Sequence, residues 1–267
     1  AMAARYPGVV FSQFAGAEQM ARKYGLTRDA LDAAGRALGE RLLPRRAEDP
    51  VVVALPRGGV PVAAEVARML DAPLDVLVVR KLGFPFQPEL AMGAIAEGGG
   101  RVVDEQLSGR GGVTAVELDA VERRERLELE RRVARYRGGR RPVPVAGRTV
   151  IVVDDGIATG ATARAACRAL RARGAARVVL AAPVGPADAV RRMAADADEV
   201  VLVEAPVAFA AVGQWYDDFS PTSDDEVVAI LHGAPRVASA PAVADPEVVI
   251  PAAGVALLGT LALPLPW

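Results

Sequence analysis

Two adjacent carboxylates, Asp154 and Asp155, end the apolar run in "IVVDDGIATGAT" (residues 151–162), and a loop with almost no side chains follows them. Like charges side by side repel, so the pair is worth keeping only for a ligand that offers matched donors. Vicinal sugar hydroxyls are such donors. The loop after the acids holds Gly156, Ala158, Thr159, Gly160, Ala161 and Thr162 and runs into a helical pattern. Backbone N–H groups at a helix start, with the positive end of the helix dipole behind them, suit a phosphate. Gly156 and Gly160 permit close backbone approach, and Thr159 and Thr162 add hydroxyl donors. The stretch therefore reads as a holder for ribose 5-phosphate, with acids for the diol and amides for the phosphate. Rival phosphate loops fail on residue type. A Walker A loop needs Gly-Lys-Ser/Thr where Gly160 is followed by Ala161 and Thr162, and the pattern G-x-G-x-x-G is missing.

Other chemistries are pruned by composition. The only histidine is His232, which removes two-histidine metal sites within one chain and most zinc sites. The only cysteine is Cys167, so no disulfide forms within the chain and a reducing, cytoplasmic compartment is expected. No signal peptide is recognisable at the start. A net charge of −1 argues against a nucleic-acid footprint. Basic positions are nearly all arginine, which singles out Lys81 as a compact ammonium; Lys23 is the only other lysine.

The elements that must hold these residues follow from periodicity. Near-continuous apolar runs occur at Val51–Leu55, Asp75–Val79, Thr149–Val153, Arg177–Pro183 and Glu199–Pro206, as expected for parallel strands buried on both faces. Helical patterns at 60–70, 162–174 and 187–197 lie between them, and Leu31, Ala34, Leu38 and Leu42 form a helical stripe ahead of the first strand. The fold class is α/β: a doubly wound, mostly parallel five-stranded sheet. It carries a helical insertion between strands 2 and 3, at about 84–147, and a C-terminal β-hairpin extension. Within the insertion, "GFPFQPELAMGAIAEGGG" reads as a loop and about Thr114–Arg137 as a solvated helix with i,i+4 pairs Glu122–Arg126 and Glu128–Arg132. The chain divides into an N-terminal extension (1–26), the main domain (27–232), a Pro/Ala linker (233–247) and a tail (248–267). Twenty uncharged residues make up that tail, but its prolines leave no piece long enough to cross a bilayer as a helix, so no membrane role is expected.

The stretch "VVDDGIATGAT" resembles the phosphoribosyl pyrophosphate (PRPP) binding motif of type I phosphoribosyltransferases. "ALPRGGVPVAAEVA" is similar to the family's pyrophosphate loop, and "VVRKLG" places two cations where members neutralise the leaving diphosphate. The resemblance covers about residues 27–232. It is closest to a poorly assigned group carrying "RKLG", "PELAMGAIAEGG" and "DDGIATGAT", some of whose members are fused to an α/β-hydrolase domain. The hairpin at Val248–Pro264 looks like the opening of such a domain, whose nucleophile and histidine this chain lacks, so no hydrolase activity is expected.

The resemblance implies Mg²⁺-dependent transfer of a 5-phosphoribosyl group from PRPP to a nucleobase-like acceptor, with release of pyrophosphate. A non-catalytic PRPP or nucleotide sensor of the same fold is the alternative. Asp154, Asp155, Arg57 and Lys81 are the implied catalytic residues, and the two aspartates would hold Mg²⁺ directly or through water. Gly156, Ala158, Thr159, Gly160, Ala161 and Thr162 would bind the 5-phosphate, while Arg57, Gly58, Gly59, Arg80 and Lys81 would bind pyrophosphate. The loop expected at 84–99 would close over the site, bringing Glu89 and Glu97. Trp215 and Tyr216 are acceptor candidates and equally candidates for core anchors. Asp217, Asp218, Asp224 and Asp225 read as turn and cap residues. Expected partners are small molecules and a second copy in a homodimer, with no nucleic acid.

Overall fold

The computed structural model describes residues 30–216 and 220–233 and two strands at 247–252 and 255–260. The expected N-terminal extension, most of the linker, Asp217, Asp218 and the Glu89 side chain lie outside these residues. In chain order, α1 (Ala30–Leu42) and a 3-10 turn (Leu43–Glu48) lead to β1 (Val51–Ala54), α2 (Gly59–Leu70) and β2 (Leu74–Val76). The insertion follows, with β3 (Val79–Phe84), β4 (Gln87–Ala96), β5 (Arg101–Val103), α3 (Glu105–Arg110) and α4 (Ala115–Arg137). The chain returns through β6 (Thr149–Val153), α5 (Ala161–Ala172), β7 (Arg177–Val184), α6 (Ala189–Met193), β8 (Glu199–Glu204) and α7 (Asp224–Leu231). Helix α6 is shorter than the pattern at 187–197 suggests.

The main sheet has the order β2-β1-β6-β7-β8, and every pair is parallel. This is the expected doubly wound α/β sheet. Its valine runs bury both faces, as the lack of alternation requires. Val52, Ala54, Ile151 and Val153 pack toward α1 and α2 with Leu38, Leu42, Val62 and Val66. The alternate residues Val51, Val53, Val150 and Val152 share the opposite cluster with Ala166, Cys167 and Leu170 of α5. Burying each such leucine contributes about 1.5–3 kcal/mol. Burial also pushes the Cys167 thiol up to about 12, so this cysteine is a small core hydrophobe rather than a nucleophile.

Sheet order fixes where a ligand can sit. The chain leaves β1 toward β2 on one side and enters β6 on the other, so the β1/β6 boundary is the topological switch point. Register keeps the two strands level there, with Val53 opposite Val152 and Ala54 opposite Val153. The loops after β1 and after β6 therefore emerge side by side.

The insertion departs from expectation. Its supposed loop is an antiparallel three-stranded sheet of order β3-β4-β5. Small residues and glycines hide the strand pattern, because they let other elements approach from both sides. Ala94 and Ala96 share a cluster with α5, while Ile95 shares one with Leu129 of α4. A bulge between Leu82 and Phe84 bends β3, where Gly83 leaves no room for a side chain against the Pro88 carbonyl. The run Asp75–Val79 is likewise split: β2 ends at Val76, and Val79 opens β3.

Helix α4 forms as expected, with a capping box between Thr114 and Glu117 and the Glu122–Arg126 and Glu128–Arg132 pairs both at 2.7 Å. It is not merely solvated. Val121, Glu125, Leu129 and Tyr136 form a buried stripe, and its last residue, Arg137, is 7% exposed. The Arg137 guanidinium donates to Asp75 (2.7 Å), to the Val76 carbonyl (2.8 Å) and to both oxygens of Glu97 (3.1 Å each). Glu97, expected in a catalytic loop, is thus a fixed structural partner.

The segment Arg236–Trp267 is a separate unit. In it β9 (Glu247–Ala252) pairs antiparallel with β10 (Val255–Thr260), at the place where the sequence suggests a hairpin. Among the described residues no helix is long and apolar enough to cross a membrane.

Removing one member of a buried ion cluster strands the others, at a cost of about 3–5 kcal/mol. Arg137→Ala is expected to lower unfolding free energy by that amount in urea titrations. Arg124→Ala, an exposed partner of Glu125, should cost less than about 1 kcal/mol. Equal effects would refute the anchoring role of Arg137.

Candidate active site

The two neighbouring loops enclose a cleft of about 310 Å³. Arg57, Gly58, Lys81, Asp154, Asp155, Gly156, Ala158, Thr159, Gly160 and Thr162 all line it, joined by Leu55, Ile157 and Val212. Most of the residues singled out from sequence are therefore brought together. Gly59 and Ala161 stand directly behind the lining, as the first residues of α2 and α5.

Backbone hydrogen bonds extend the strands into the loops. Leu55 N–H donates to the Val153 carbonyl (2.8 Å), Asp154 N–H to Ala181 (3.2 Å) and Ile157 N–H to Val184 (2.9 Å). The acids are thus fixed at a strand end rather than hung on a flexible turn. The Asp155 carbonyl accepts from the Tyr216 hydroxyl at 2.6 Å, and the Ala158 carbonyl accepts from Arg192 at 3.1 Å. Gly160 then turns with φ of 83° and starts α5 with no side-chain cap. The first-turn N–H groups of α5 have no intrahelical partner by construction, and they face the cleft that Gly160 and Thr162 line.

Close packing explains the paired glycines better than flexibility does. A Cβ on Gly58 would land on the Asp155 carboxylate. One on Gly59 would lie 2.7 Å from the Val153 carbonyl and 2.9 Å from Asp154 Cα. The Pro56–Gly59 turn, whose Pro56–Arg57 peptide is cis, presses bare backbone onto the acidic strand end.

The acids sit half-buried beside each other, and Asp155 N–H donates to Asp154 Oδ1 at 3.0 Å. Burial, followed by the neighbouring Asp155 charge, pushes the Asp154 carboxyl well above its usual range, and Lys81 opposes the rise. Burial also raises Asp155, against hydrogen bonds from Asp154 and the local backbone. The two carboxylates thus disfavour each other's charge, a repulsion that hydroxyl donors or a cation would relieve.

Three sequence candidates are not brought to the cleft. Arg80 donates from Nε and Nη2 to Glu125 Oε2 at 2.9 and 2.6 Å. The cause is strand geometry: β3 sends successive side chains to opposite faces, so Arg80 meets α4 while Lys81 meets the cleft. Trp215 stacks on Phe209, with centroids 6.4 Å apart. Tyr216 is buried beside it and spends its hydroxyl on the Asp155 carbonyl. Of this segment it is Val212 that reaches the cleft, packed so closely that a Cβ on Gly156 would meet its Cγ1 at 2.5 Å. An aliphatic residue gives no chemical signal in a sequence, which is why the aromatics draw attention instead. Asp224 and Asp225 lie in the first turn of α7, and Ser223 is the cap.

Packing and charge can each be tested by substitution. Gly58→Ala is expected to lower stability by about 1–3 kcal/mol through overpacking. Adding Asp155→Ala removes the clashing carboxylate and should restore most of the loss in thermal melts. Asp154→Asn removes the repulsion and should raise the apo melting temperature at pH 8. A carboxyl raised in the folded state favours folding below its unfolded pKa of about 3.9, and that contribution fades as pH climbs through the raised value. The gain should accordingly shrink toward pH 4; a loss at pH 8, or the same gain at both pH values, would contradict the electrostatic account.

Comparison with known proteins places the cleft in a family. The phosphoribosyl transferase domain matches residues 26–220. Two curated relatives from Mycobacterium tuberculosis, strains CDC 1551 / Oshkosh and ATCC 25618 / H37Rv, are provisionally named phosphoribosyl transferases. Each is 53% identical over 240 residues, covering 86% of this chain and 54% of its own. This chain thus spans about half the length of the curated relatives it matches. Among solved structures, TT1426 from Thermus thermophilus is 44% identical, with a TM-score of 0.65 over 77% of this chain and 98% of its own. The family match runs through both loops that frame the cleft and on to the segment bearing Val212, and the chain therefore belongs to the phosphoribosyl transferase domain family.

Proposed function

We propose that this chain transfers the 5-phosphoribosyl group of PRPP to a nucleobase-like nitrogenous acceptor, with Mg²⁺, and releases pyrophosphate. One observation carries the reading: an acidic pair, an uncapped helix start and two cations, Arg57 and Lys81, converge on a single cleft at the switch point. Each part matches one part of the donor. The carboxylates of Asp154 and Asp155 accept hydrogen bonds from the ribose 2- and 3-hydroxyls. Loop amides from Gly156 to Thr162 take the 5-phosphate. Arg57, Lys81 and the Gly58–Gly59 backbone take the diphosphate.

Bond changes at ribose C1 set the electrostatic task. The acceptor nitrogen supplies an electron pair to C1, the C1–O pair leaves with pyrophosphate, and the acceptor proton passes to solvent. Positive charge builds on the ring while negative charge gathers on the leaving group. Fixed carboxylates beside the first and fixed cations beside the second favour that separation. Mg²⁺ fits the donors present, since Asp154 and Asp155 are hard oxygen ligands whose mutual repulsion a divalent cation relieves. No group of three or more metal-ligating side chains occurs among the described residues, so remaining ligands would come from donor and water. Bound there, the ion supplies charge neutralisation on the diphosphate.

The same reading places the chain in a reducing, cytoplasmic compartment as a homodimer acting on small molecules. A sensor that binds PRPP without turnover is the second reading, favoured by Trp215 and Tyr216 lying in the core rather than in the cleft.

Calorimetry with PRPP and Mg²⁺ and a pyrophosphate-release assay over a panel of bases separate the two. Turnover with some base, lowered at least about 100-fold in Asp154→Asn/Asp155→Asn, supports the transferase. Binding without turnover supports the sensor, and absence of binding removes both.

A further inference from the structure

Among the described residues, the cleft cation Arg57 also has an acidic neighbour outside the cleft. Its Nη1 lies 3.9 Å from Asp224 Oδ1, and its side chain is 40% exposed, against 16% for Asp224. The carboxylate is held far more firmly by other groups. The Tyr136 hydroxyl donates to Oδ1 at 2.6 Å, and Arg135 Nη1 stands 3.1 Å from Oδ2. Both come from the last turn of α4, the insertion helix. Asp224 itself opens α7, whose start is locked by the reciprocal bonds of Ser223 and Glu226 and whose Val227 is fully buried. Burial alone would raise the Asp224 carboxyl, yet Tyr136, Arg135, Arg132 and Arg57 hold it below the usual range.

We propose that Asp224 is a positioning residue for the reaction: it gives the Arg57 guanidinium a fixed resting place at the cleft rim, through which α4 and α7 set the affinity for diphosphate. The proposal rests on the transferase reading given above. Residues on two helices fix the carboxylate rigidly, whereas the guanidinium is held loosely and from one side. That asymmetry matters. The contact leaves the other edges of the Arg57 guanidinium open, so it can meet a diphosphate while Asp224 stays beside it. Without Asp224 the side chain would search its many rotamers from solvent, and that ordering would fall on the binding step. Asp224 lies beyond the span matched by the family model, which ends at residue 220.

The test is a double-mutant cycle on the purified chain, with magnesium pyrophosphate as the calorimetric probe and PRPP turnover as the second readout. Asp224→Asn, which keeps the shape and a partner for Tyr136, should weaken pyrophosphate binding about fivefold or more. It should raise KM for PRPP by a similar factor and leave kcat within about twofold. In an Arg57→Ala background the same change should have almost no effect on binding. An equal loss in both backgrounds would mean a general structural effect and would overturn the proposal, as would unchanged or tighter binding by Asp224→Asn. Melting curves and Asp224→Glu, which restores the charge, guard against a folding defect: binding that stays lost in a folded Asp224→Glu chain counts against positioning. Wild-type protein that binds neither PRPP nor pyrophosphate removes the transferase reading and this proposal together, whereas wild-type binding with a null cycle removes only this one.

Discussion

Everything at the cleft depends on two half-buried carboxylates being kept next to each other. A chain selected for stability alone would not place Asp154 and Asp155 together at a half-buried strand end, since each raises the cost of ionising the other. The fold imposes this arrangement with hydrogen bonds on three sides: Leu55 N–H donates to Val153, Asp154 N–H donates to Ala181 of β7, and the Tyr216 hydroxyl donates to the Asp155 carbonyl. Strain held at a site and offset by a surrounding core is a common mark of function. Here the offset comes from the valine runs of β1 and β6, buried on both faces.

Most of this was legible in the sequence because it is local. The acidic pair, the small-residue loop and the Pro-Arg-Gly-Gly turn are contiguous, and parallel-strand runs announce their own burial. What escaped was set by tertiary direction. "RKLG" names two cations, but only the two-residue period of β3 decides that Lys81 enters the cleft and Arg80 pairs with Glu125. "GFPFQPELAMGAIAEGGG" looks like a loop because glycine and alanine weaken the strand signal, and those same small residues let α4 and α5 close on the ribbon. Trp215 and Tyr216 are conspicuous by type, yet burial fixed their place and left Val212 at the cleft.

The insertion therefore does more than decorate the sheet. Its helix α4 reaches three separate places: Glu125 takes Arg80, Arg137 gathers Asp75 and Glu97, and Tyr136 with Arg135 holds Asp224. Each is a charged or hydroxyl contact to another element, and Glu125 and Tyr136 make theirs from the buried stripe of Val121 and Leu129. The charge pattern of α4 thus serves two ends, i,i+4 pairs within the helix and long-range anchors to other elements.

The ribbon that bears Lys81 constrains how that cation can move. Its backbone lies within a ladder, paired opposite Ala94, while its side chain is exposed at the cleft. The ammonium swings on its own four-carbon stem, because the Cα that carries it cannot shift without the neighbouring rungs. The reach of the cation is thereby set by one side chain's rotamers, and ordering it on a ligand costs the entropy of those torsions alone.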